Sequence, residues 1–72
     1  MIVYGVQFPD NVLDKAWENA VTRGLSYAVL TRELARLGYE PGYRTARAAD
    51  RLLQKKRKAG VVKYEKGKWA LL

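Results

Sequence analysis

A mainly helical α+β fold is predicted for this chain: a short N-terminal strand, three helices and a C-terminal β-hairpin, all in one domain over residues 1–72. Three observations carry that prediction. Apolar residues recur at three- and four-residue spacing in three separate stretches, each closed by a glycine (Gly24, Gly38 and Gly60). A run of β-branched and aromatic residues opens the chain. Near the end, two alternating runs flank Lys66-Gly67, a hairpin turn signal.

Residues 2–8, I-V-Y-G-V-Q-F, read as a strand stopped by Pro9. The two-residue period puts Tyr4, Val6 and Phe8 on one face. Residues 10–23 read as the first helix, with Asp10 or Asn11 as its cap. Its buried stripe is Leu13, Ala16, Trp17, Ala20 and Val21. Asp14 near its start and Arg23 near its end both suit the helix dipole. Residues 25–38 read as the second helix, capped by Ser26 or by Thr31, with Leu30, Leu34, Leu37 and Ala35 as its apolar side. Pro41-Gly42 marks the turn that follows.

The third helix is predicted over residues 44–59, with Ala46, Ala49, Leu52, Leu53 and Ala59 as apolar positions. Arg44, Arg47, Arg51, Lys55 and Lys58 lie three or four residues apart and fall on another face. In the hairpin over 61–72, a two-residue turn pairs Val62 with Leu71 and Tyr64 with Trp69, whereas a three-residue loop with Gly67 in a bulge would shift that register. These four then share a face that closes the core.

Charge is segregated along the chain. Residues 1–40 carry four basic and five acidic groups. Residues 41–72 carry ten basic groups against only Asp50 and Glu65, a balance of +8 beside −1 in the first forty, for a net +7. Such asymmetry points to a polyanionic partner. The chain has no cysteine and no histidine, which excludes disulfides, thiol chemistry and zinc-finger ligation. No apolar run approaches the roughly 18 residues of a membrane span. No export signal opens the sequence, so a cytoplasmic protein is the default expectation. Without an obvious general base or a phosphate-cradling glycine loop, enzymatic activity is not expected. No cofactor, metal or small-molecule substrate is implied.

The segments L-T-R-E-L-A-R-L-G-Y, R-T-A-R-A-A-D-R-L-L-Q-K-K-R-K-A-G-V-V-K-Y and E-K-G-K-W-A-L, over residues 25–72, resemble the winged helix-turn-helix family. One departure is the connection at 38–43, longer than a tight turn. The resemblance implies a positioning helix, a recognition helix and a basic wing, with double-stranded DNA as partner and a nucleoid-associated transcriptional regulator as the function. On that reading Arg47 and Arg51 meet base edges, where arginine binds guanine O6 and N7 bidentately. Arg44 and Thr45 meet bases or phosphate, and the first-turn amides add phosphate donors. Lys55 and Lys58 meet phosphate. Lys66 and Lys68 at the wing tip reach a flanking groove or backbone. The Tyr43 hydroxyl is a phosphate donor or its ring covers the core.

Two alternatives stand beside this. A ribbon-helix-helix dimer would use residues 2–8 as its ribbon, but only Gln7 there is polar. An RNA- or protein-binding module would use exposed aromatics on the basic face. A homodimer through residues 2–8 and the first helix is the expected oligomer.

Overall fold

The computed structural model describes residues 1–72. In chain order the elements are β1 (Ile2–Val3), β2 (Val6–Gln7), α1 (Asp10–Arg23), α2 (Tyr27–Arg36), α3 (Tyr43–Lys58), β3 (Val62–Glu65) and β4 (Lys68–Leu71). The result is a mainly helical α+β fold with two small antiparallel hairpins. None of the helices is long and apolar enough to cross a membrane.

The N-terminal segment is not the single strand expected from its composition. It reverses at Tyr4-Gly5, pairing Ile2 with Gln7 and Val3 with Val6. Both turn residues take positive φ, 48° at Tyr4 and 81° at Gly5, which is the turn geometry that matches strand twist in a two-residue hairpin. The Phe8 amide then donates to the Met1 carbonyl at 2.7 Å. The reversal also breaks the expected Tyr4–Val6–Phe8 face: Val3 and Phe8 are fully buried, whereas Tyr4 is exposed. A ribbon-helix-helix ribbon needs these residues extended and paired with a second chain, and here they pair with each other.

α1 has the expected bounds but a different cap. Asp10 is already helical. The Pro9 carbonyl accepts from the Val12 and Leu13 amides, and no side chain caps the helix. Proline serves because its fixed φ suits the edge of a helix. α2 is capped by Ser26, whose Oγ accepts from the Val29 amide at 3.1 Å. It ends at Arg36, before the expected residue 38.

α3 buries Thr45, Ala48, Ala49, Leu52 and Leu53. Ala46 is only half-buried and Ala59 is exposed, so Ala48 takes the place expected for them. Small side chains at Ala48 and Ala49 let α3 approach its neighbours closely. The core joins these residues to Val3, Phe8, Leu13, Ala16, Ala20, Leu30 and Leu34, with Trp17, Tyr39 and Trp69 packed around it.

The C-terminal hairpin has the expected register, Val62 opposite Leu71 and Tyr64 opposite Trp69. Its expected burial is only partly realised. Val62 is buried and Trp69 half-buried, but Tyr64 is 57% and Leu71 52% exposed. The hairpin lies against the polar flank of α3, where Gln54 and Arg57 meet Val62, Lys63 and Tyr64. The helices and the N-terminal hairpin have already closed the core. Tyr64 instead packs edge-on against Trp69, ring centres 5.0 Å apart.

Candidate nucleic-acid interface

A basic stripe runs the length of α3. Arg44, Arg47, Arg51, Lys55 and Lys58 are all exposed, and their spacing follows the helical repeat. The two hairpins flank this stripe. The N-terminal hairpin meets α3 at Tyr43 and Arg51. The C-terminal one lies along the adjacent row of Asp50, Leu53, Gln54 and Arg57.

The three arginines of the first half differ in their surroundings. Arg47 Nη1 lies 3.6 Å from Asp50 Oδ2, an exposed pair one turn apart. Arg51 Nη1 donates to the Ile2 carbonyl at 3.1 Å. Arg44 has neither an ion pair nor a hydrogen bond; its guanidinium lies 5.3 Å from the centre of the Tyr43 ring.

Lys55, Lys58, Lys66 and Lys68 are exposed and form no ion pair. The remaining basic groups of this half are engaged. Lys63 pairs with Glu65 at 2.7 Å, Lys56 lies over the Trp17 ring at 5.1 Å, and Arg57 Nε donates to Gln54 Oε1 at 2.9 Å.

Thr45 does not reach this surface. It is 1% exposed, and its hydroxyl accepts from the Gly42 amide at 3.1 Å and donates to the Gly42 carbonyl at 2.9 Å. The third helical position naturally points back at the cap, so a threonine there ties the helix start instead of meeting a ligand. The amides of Tyr43, Arg44 and Thr45 have no backbone acceptor. They lie at an open hollow of about 310 Å³ walled by Phe8, Tyr39, Pro41, Tyr43 and Arg44. Unsatisfied amides at a helix start favour an anionic group.

The flanking tyrosines separate in role. Tyr39 stacks on Phe8 with ring centres 4.6 Å apart and covers the core. Tyr43 is 65% exposed and meets the ring of Tyr4 at 5.3 Å. Tyr4 escapes a reading by strand alternation, which hides the turn. The signal lay in Gly5 within an otherwise apolar strand, a mark of reversal.

Glu33 was also missed. It is 1% exposed, and its Oε2 lies 3.5 Å from Arg23 Nε and 3.6 Å from Arg36 Nε, with no hydrogen bond to that oxygen. Its position three after Leu30 and one before Leu34 places it on the buried side of α2. Its role is structural, remote in sequence from α3. No three acidic side chains come together in a group that could hold a metal ion.

Neither a family model, nor a curated protein, nor a solved structure matches this chain.

Proposed function

We propose that this chain is a sequence-specific double-stranded DNA-binding protein of the winged helix-turn-helix type, acting as a small transcriptional regulator. In this reading α3 enters the major groove and the β3–β4 hairpin is the wing. The observation that carries the proposal is the basic stripe of α3, exposed along the whole helix and interrupted by no acidic residue within its own row. Major-groove recognition uses a helix presented in this way. Lys66 and Lys68 at the hairpin tip supply unpaired charge for a flanking phosphate.

The test is fluorescence-anisotropy titration against random duplex DNA, a single strand and an RNA hairpin at two salt concentrations. With roughly five phosphate contacts, log K is expected to fall against log salt with a slope of about −4 to −5 on duplex DNA. Absence of duplex binding at low salt would sink the proposal.

Lys66→Asn sharpens the same test. Lys66 sits at φ 52° at the first central position of its turn, where asparagine is the cheaper residue. The variant is expected to stabilise the fold by about 0.5 to 1 kcal/mol in urea unfolding. It is also expected to flatten the salt slope by about one unit, equally for all duplexes. An unchanged slope would remove the wing from the interface.

A second reading, a single-stranded or structured RNA partner, is favoured by one observation: Tyr43 and Tyr64 both expose more than half their surface in the basic half of the chain. Exposed rings suit stacking on unpaired bases. Tighter binding to the RNA hairpin than to duplex in the same titration would select it.

A further inference from the structure

Resting on the duplex-DNA reading, we propose that Arg44 is the base-reading arginine of α3, and that Tyr43 and Tyr4 are positioning residues that hold it. The family resemblance implies Arg47 and Arg51 for that task, but their surroundings favour them less than Arg44. Arg47 is turned toward Asp50 at 3.6 Å, and Arg51 is spent on the Ile2 carbonyl at 3.1 Å. Each meets a base only in competition with an existing partner.

Arg44 gives up nothing. Its guanidinium lies over the Tyr43 ring, 5.3 Å from the ring centre. Stacking on a ring uses the flat face of the guanidinium and leaves its in-plane N–H groups free. Those groups form the fork that matches O6 and N7 of guanine. Arg44 also lies in the first turn of α3, the end from which such helices contact base edges.

Tyr4 completes the arrangement. A tyrosine at φ 48° is held in a left-handed conformation that asparagine or glycine adopts more cheaply. Burial does not account for the choice, because Tyr4 is 61% exposed. Its ring instead meets Tyr43 at 5.3 Å with planes tilted by 58°. Aromatic pairs favour such tilted contacts, and this one limits the freedom of the Tyr43 ring beneath Arg44. The strain at the hairpin tip thus coincides with an exposed ring against the basic helix, where stored backbone strain is expected to serve function.

The experiment uses the consensus duplex recovered by selection from a randomised library. Each guanine is replaced in turn by 7-deazaguanine, which removes only the N7 acceptor. The wild-type chain is expected to lose about tenfold in affinity at one guanine. Arg44→Ala removes the fork altogether, and is expected to bind the intact consensus about tenfold more weakly and to ignore the replacement. Tyr43→Leu is expected to lose most of the discrimination and Tyr43→Phe to keep it, since the ring and not the hydroxyl does the holding. Tyr4→Asn is expected to raise the melting temperature by a few degrees while lowering the discrimination, an opposition that a purely structural residue does not produce.

Arg47→Ala removes one charge from the stripe and is expected to weaken binding to every duplex alike, while the loss at the replaced guanine persists. The proposal is overturned if Arg44→Ala still senses the replacement, if Arg47→Ala abolishes it, or if Tyr43→Leu and Tyr4→Asn leave it unchanged. Duplex binding with no selectable consensus overturns this inference and spares the DNA-binding proposal. Absence of duplex binding overturns both.

Discussion

Phe8→Ala is expected to cost about 3 to 5 kcal/mol, the range for emptying an aromatic site in a core. Phe8 is fully buried and is the largest such side chain in the chain. It joins the N-terminal hairpin to the helical core, and its ring stacks on Tyr39 at 4.6 Å. A domain of this length has about 4 to 11 kcal/mol of total stability. One substitution therefore removes about a quarter of it or more. Each kcal/mol shifts the melting temperature by about 4 to 8 °C at this size. Urea unfolding followed by far-ultraviolet circular dichroism measures the loss directly. Phe8→Leu refills much of the space and is expected to lose less than half as much. A loss below about 1 kcal/mol for Phe8→Ala would mean that the hairpin does not seal the core as described.

The buried carboxylate of Glu33 gives a second large effect, and its sign depends on which side is removed. Arg23→Ala combined with Arg36→Ala leaves the charge in the interior with no counter-ion. That is expected to cost about 3 kcal/mol. Both arginines are about half exposed, so water already screens them and the figure belongs at the lower end of the usual range. Glu33→Met removes the charge and fills the site with apolar atoms of similar length. It is expected to be neutral or to stabilise by about 1 kcal/mol. The paired measurement is equilibrium unfolding of both variants. Equal losses for the two would show that Glu33 contributes net attraction to the fold; the opposition expected here marks it as a burden its two arginines offset. At 3.5 and 3.6 Å neither contact is close, and one oxygen lacks a hydrogen bond, which favours that opposition.

The helices could be read from the sequence because their signals are local. Three-and-four spacing places Leu13, Ala16 and Ala20 on one side of α1 whatever packs there, and Ser26 caps α2 through a bond to Val29 three residues on. Lys66-Gly67 marked the turn between β3 and β4 but left two registers open, and the positive φ of both residues selects the two-residue turn. What failed depended on distant neighbours. Alternation cannot say whether a sheet face meets a core, and Tyr64 and Leu71 stay exposed although they share a face with buried Val62. Glu33 lies on an apolar side of α2, but its tolerance depends on Arg23 arriving from the previous helix.

The candidate surface divides along the same line. Exposure of the basic stripe follows from its spacing. The unequal surroundings of Arg44, Arg47 and Arg51 depend partly on a hairpin some forty residues earlier, as the contact of Arg51 with Ile2 illustrates.

That contact also sets an order of events during folding. α1 packs on α2 and α2 on α3, so the helical body grows through neighbours in sequence. Topologies of that kind fold quickly, in about microseconds to milliseconds. The bond from Arg51 to Ile2 and the ring pair of Tyr4 and Tyr43 close long loops at the surface, which form after local contacts do. The charged helix is thus expected to be in place before its aromatic flank, so a nascent chain presents its basic charge before the contacts around Arg44 and Arg51 exist.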